Sequence, residues 1–179
     1  PADAILIAAS LEFRASLTTL DLECNKIGPS GATAIAKALE VNASLTTLSL
    51  SGNNIGDEGA TAMGNALAVN ASLTKLWLFG NSIGDEGAKA LASSLEVNAS
   101  LTKLDLFDNQ IGPSGATAIA KALEVNASLK LRTLSVYIRY HRQGQSATCS
   151  RMPCKGCEAP LKPVCRVCWI MCVCVCLQP

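Results

Sequence analysis

Hydrophobic positions in residues 16–127 change period within every 28 residues, and they do so four times in register. In the first block Leu20 and Leu22 alternate with Thr19, Asp21 and Glu23, with Leu17 just ahead, the spacing of a half-buried strand. Ala32, Ile35 and Leu39 then follow at helical spacing. The helix positions recur as Ala60/Met63/Leu67, Ala88/Leu91/Leu95 and Ala116/Ile119/Leu123. The pattern predicts one strand and one helix in each of the blocks 16–43, 44–71, 72–99 and 100–127. A unit this small cannot bury both apolar faces alone, so the units must stack.

Every block opens Ser-Leu-Thr and closes Val-Asn-Ala. Residues 1–15 align with the back half of a block, 29–43, so the chain starts in mid-repeat with a proline and reads as a piece of a longer array. The first helical turn carries Pro29-Ser30 or Asp57-Glu58. Proline suits an early helical position, and acids there face the positive end of their own helix dipole. Small alanines on the buried face allow close helix approach. After Ser128 the pattern fails. Inserting about two residues aligns Leu129, Leu134 and Val136 with the strand leucines, but Arg139 then replaces the expected Asn. Residues 128–138 read as a degenerate terminal strand, or equally as the point where reading frame or exon boundary goes wrong.

The run LxxLxLxxNxIGxxGAxAIAxAL resembles the ribonuclease-inhibitor type of leucine-rich repeat, over residues 1–127. The resemblance implies an α/β solenoid, a horseshoe with a parallel β-sheet on the concave face and helices on the convex face. Asn25, Asn53, Asn81 and Asn109 match the family's asparagine, whose amide is implied to bond the backbone of adjacent turns. A bend there leaves backbone groups that a sheet cannot satisfy, so the role is structural. The uniform repeat also resembles the repeat region of NOD-like receptors and the arrays of multidomain GTPases. It implies recognition or autoinhibition in the cytoplasm, within a larger intracellular receptor or regulatory protein.

Charge and cysteine divide the chain in two. Residues 1–127 hold seven Lys/Arg and thirteen Asp/Glu, a net −6, whereas 128–179 hold eight Lys/Arg and one acid, a net +7. The overall +1 gives no reason to expect a nucleic-acid partner. No histidine precedes His141, so residues 1–127 cannot assemble a Ser/His/Asp or Cys/His centre. Their acids recur in every unit, which favours a scaffold over an active site. No enzyme activity and no cofactor are expected.

Variation between blocks falls on the outward strand positions. These read Thr19/Asp21/Glu23, Thr47/Ser49/Ser51, Lys75/Trp77/Phe79 and Lys103/Asp105/Phe107. Phe79 and Phe107 hold equivalent positions and should lie side by side, with Trp77 on the same face between Lys75 and Lys103. An exposed aromatic cluster beside cations and Asp105 has the composition of a protein-binding hot spot. The plainer alternative is that these aromatics only shield the sheet across rungs. Each junction also contains Asn-Ala-Ser, at Asn42, Asn70, Asn98 and Asn126, formally a glycosylation sequon. The structural reading is a helix end where Asn tolerates left-handed backbone.

Eight of nine cysteines lie at or after Cys149. Cys154, Cys157, Cys165 and Cys168 make C-x2-C-x7-C-x2-C, a zinc-like set with a short inner spacing. A disulfide cluster would need an oxidising compartment. The third reading treats 139–179 as disordered or as translated non-coding sequence, because Cys172-Val-Cys-Val-Cys176 is what a GT dinucleotide tract encodes. The apolar run Val167–Leu177 is too short to span a bilayer.

Two functional readings follow. One is a protein-interaction scaffold that binds its partner on the concave face; uncapped ends would also promote self-association. The other resembles Ran GTPase-activating protein, which acts on a bound GTPase.

Overall fold

The computed structural model describes residues 2–11, 16–126 and the backbone of 133–136. Helix α1 (Ala2–Leu11) comes first, followed by β1 (Thr19–Asp21), α2 (Gly28–Val41), β2 (Thr47–Ser49) and α3 (Gly56–Val69). Next come β3 (Lys75–Trp77), α4 (Asp85–Leu95), β4 (Lys103–Leu106), α5 (Pro113–Val125) and β5 (Thr133–Val136). The strands form one five-stranded sheet in sequence order, every neighbour parallel. Parallel neighbours need a crossover, and the helix of each unit supplies it. This is an α/β leucine-rich-repeat solenoid, with the sheet on one face and the helices on the other.

The register steps by one repeat. Leu20, Leu48, Leu76 and Leu104 stand in line across β1 to β4, and Leu134 of β5 lies opposite Leu104. The core runs between sheet and helices. Leu48, Leu76, Leu104, Ile35, Met63, Leu91 and Ile119 are inaccessible to solvent. Leu17 and Leu20 of the first rung are only half-buried, because no earlier strand covers β1 among the described residues. Ala32, Ala60 and Ala88 are also inaccessible, as close helix packing requires.

Asparagine side chains stitch the rungs together. Asn53 Nδ2 donates to Leu22 O at 2.8 Å in the preceding unit, and its Oδ1 accepts from the N–H groups of Asn25 and Ile27. Asn81 and Asn109 repeat this bridge to Leu50 O and Leu78 O. Asn25 differs. It is exposed, and its amide reaches only Glu23 O.

The junction asparagines form a second set of bridges, and here the expectation of left-handed backbone is corrected. Asn42 and Asn70 are extended, at φ −78° and −75°, and Asn98 and Asn126 are not among the residues with positive φ. The amide is what the position needs. Asn70 Nδ2 donates to Leu39 O at 2.8 Å and to Asn42 O at 2.9 Å, while its Oδ1 accepts from Leu73 N.

The acids at helix starts also do more than face their own dipole. Asp57 Oδ1 accepts from Gly84 N and Gly87 N of the next unit, and Asp85 Oδ1 accepts from Gly112 N and Gly115 N.

Candidate functional site

Alternation along strands this short sends every second side chain away from the leucine core. On the sheet face the register therefore assembles three rows. The first is Thr19, Thr47, Lys75, Lys103; the second is Asp21, Ser49, Trp77, Asp105. The third continues the same faces past the strand ends with Glu23, Phe79 and Phe107. Ser51, expected in that row, lines the same face as Ser49 and Trp77 but is only 6% exposed. Its backbone carbonyl accepts from Asn53 Nδ2 at 3.1 Å.

The structure brings the aromatic and cationic candidates together. Phe79 and Phe107 stack with ring centroids 6.0 Å apart and planes 3° from parallel. They remain 40% and 47% exposed. The Lys103 ammonium lies 5.3 Å from the Trp77 ring centroid, within the range where the ring quadrupole attracts a cation. Lys75 is exposed and directly opposite Lys103. Asp105 Oδ1 accepts from Phe107 N–H at 3.0 Å, and Asp21 makes the equivalent bond to Glu23 N–H at 3.1 Å. These acids brace the turn that follows their strand.

Beside this cluster lies a shallow hollow of about 300 Å³, open to solvent, lined by Asp21, Glu23, Thr47, Ser49, Ser51 and Trp77. One of its walls is acidic and another is aromatic. A second exposed apolar feature runs along the far ends of the units: Val41, Val69, Val97 and Val125 are each 65–68% exposed. Their recurrence before Asn-Ala-Ser was visible in the sequence, but their exposure was not, because helix period alone does not say where the next rung ends.

The cysteine tetrad Cys154, Cys157, Cys165 and Cys168 lies outside the described residues. Among the described residues no cluster of His, Cys, Asp or Glu suits a metal ion, and no helix is long and apolar enough to cross a membrane.

Comparison with known proteins agrees with this geometry. The family described as "Leucine Rich repeat" matches residues 15–36, 41–64, 69–92 and 97–120. No curated protein matches significantly. A solved structure of the leiomodin-1 actin-binding site 2 is 25% identical, with a TM-score of 0.66, and the match covers 77% of this chain and 79% of that one. The tropomodulin C-terminal domain from Caenorhabditis elegans is similar in fold at 20% identity, with a TM-score of 0.64. That match covers 79% of this chain and 85% of the other.

Proposed function

The chain belongs to the leucine-rich repeat family, and from that premise we propose that it binds a protein partner on its concave sheet face. The contact residues are Lys75, Trp77, Phe79, Lys103, Asp105 and Phe107. The observation that carries this reading is the concentration of large side chains on two adjacent rungs. The stacked Phe79–Phe107 pair stays two-fifths or more exposed, whereas the first two rungs offer only hydroxyls and acids. Packing across the sheet does not require two phenylalanines in water, and aromatic anchors next to cations dominate interface energetics. A shallow open surface of this kind suits a macromolecular partner better than an enclosed small molecule.

We place the chain within a larger intracellular receptor or regulatory protein, as a cytoplasmic recognition segment of the kind that NOD-like receptors carry. The fold is a binding scaffold, and no catalytic role is proposed for it. No feature of the described residues favours the GTPase-regulating alternative.

Actin is the first partner to test, because the similar leiomodin-1 structure is an actin-binding site. The experiment is co-sedimentation with filamentous actin alongside a pull-down from cell extract, comparing the wild-type chain with Trp77→Ala plus Phe107→Ala. Loss of the bound partner on double substitution supports the concave site. An unchanged partner set refutes it.

A further inference from the structure

The concave face carries charge as well as aromatic area, and the charge is unevenly laid out. Asp21 and Glu23 stand exposed on the first rung, next to the hydroxyls of Thr47 and Ser49. Two rungs away Lys75 and Lys103 face each other directly in register. Like charges opposite one another weaken a sheet, and no carboxylate relieves this pair. The one ion pair among the described residues is Lys89–Glu86, on a helix. Asp105, the nearest acid on the lysine side, is engaged with the Phe107 N–H. Lys103 gains the Trp77 ring face, 5.3 Å from its ammonium, but the repulsion between the two lysines is left for a ligand of opposite charge to relieve.

From this, resting on the concave-face reading above, we propose that the partner presents an extended peptide segment carrying a basic and an acidic residue with apolar side chains beside the acid. The Lys or Arg enters the hollow between Asp21, Glu23 and Trp77, where two carboxylates and an aromatic wall meet. The Asp or Glu lies between the Lys75 and Lys103 ammonium groups. The apolar side chains cover the Phe79–Phe107 stack.

Strand spacing of about 4.8 Å and a rise of about 3.3 Å per residue put the Asp21 and Lys75 positions roughly 12 Å apart. That distance is spanned by about three to four residues of extended chain. The segment therefore crosses the strands, and reversing its charges would set lysine against lysine. Charge complementarity of this kind selects register and suppresses wrong partners.

The test uses the full chain as bait for a random nine-residue peptide library displayed on phage. Selected peptides are then synthesised and titrated by fluorescence polarisation against wild type, Lys75→Glu with Lys103→Glu, and Phe79→Ala with Phe107→Ala. The proposal expects peptides with a base three or four positions from an acid, and about tenfold or greater weakening by the charge reversal. It also expects the charge-reversed chain, selected afresh, to choose a base where wild type chose an acid, which shows that the variant is folded. Peptides that need the phenylalanines but ignore the charge reversal overturn the polarity and leave the concave site standing. Peptides indifferent to both variants, or no enriched peptide at all, overturn both. A wild-type dimer that Lys75→Glu with Lys103→Glu dissociates makes a second copy the occupant and also overturns the proposal.

Discussion

Asp57, in the first turn of α3, caps the helix of the following unit: its Oδ1 accepts from Gly84 N at 2.7 Å and again from Gly87 N at 2.9 Å. The partnership sets backbone conformation as well as hydrogen bonding. Gly84 and Gly112, which follow units with Asp at this position, are extended at φ −96° and −95°. Gly56 follows the Pro29 unit and takes φ +61°, its N–H donating to Asn81 O instead. A proline or aspartate in one repeat thus selects between two conformations at the helix entry of the next.

Asp57→Ala is expected to cost about 1–2 kcal/mol, the upper range for losing a helix cap that also carries charge. Urea denaturation monitored by helical circular dichroism measures it. Replacing Asp57-Glu58 by Pro-Ser, the pair native to the first unit, should recover part of that loss by moving Gly84 to positive φ. Nuclear magnetic resonance couplings that leave Gly84 extended would count against the switch.

The two kinds of repeat asparagine should separate cleanly. Asn53→Ala removes an inaccessible amide that satisfies Leu22 O, Leu50 O and the N–H groups of Asn25 and Ile27. Stranding such groups costs roughly 2–4 kcal/mol in total. Asn25→Ala deletes one exposed bond to Glu23 O and should cost less than about 0.5 kcal/mol. Equal destabilisation by the two substitutions would contradict the bridging account.

Gly64 offers a test in which two effects oppose each other. An alanine in a helix interior is favoured over glycine by about 1 kcal/mol. Here, however, a Cβ would lie 2.8 Å from Ala90 O and 3.0 Å from Ala90 C, both backbone atoms of the neighbouring helix. Pushing α3 and α4 apart costs about 1–3 kcal/mol, so Gly64→Ala should destabilise on balance. A higher denaturation midpoint would show that the helices sit farther apart than the contact implies.

The Asn-Ala-Ser sequons should not carry glycans in the folded protein. Asn70 is 6% exposed and its Nδ2, the atom a glycan would modify, donates to Leu39 O and Asn42 O. If the chain is sent through a secretory route, glycosylated copies are expected to be misfolded and sensitive to protease. A protease-resistant, glycosylated species in the mass spectrum would refute this.

Binding and stability should part company on the concave face. Phe79 and Phe107 keep 40% and 47% exposure, so replacing both by alanine should cost about 2–3 kcal/mol of stability, the stacked pair together with the partly buried ring area. Loss of partner affinity should exceed that, as for hot-spot aromatics at 2 kcal/mol or more each. A larger stability loss, with affinity intact, would mean that the stack serves the sheet alone.

The repeat period, the alternation of Leu20 and Leu22 and the helical spacing of Ala32, Ile35 and Leu39 carried the architecture, because burial repeats with the geometry of strand and helix. The same alternation put Trp77, Phe79 and Phe107 on one face, since the side-chain period of two follows from the backbone alone. Beyond the side-by-side placing of Phe79 and Phe107 and the asparagine bridges that the family resemblance implied, interactions between repeats were not legible in this way. That Asn70 turns its amide to Leu39 O rather than adopting left-handed backbone depends on which carbonyls a neighbouring turn leaves unpaired. That Asp57 caps α4, that Lys103 rather than Lys75 covers Trp77, and that Ser51 is buried depend on distances between units 28 residues apart. One unit's pattern contains the period of its own chain, whereas the offset and curvature that bring two units together exist only once they are stacked.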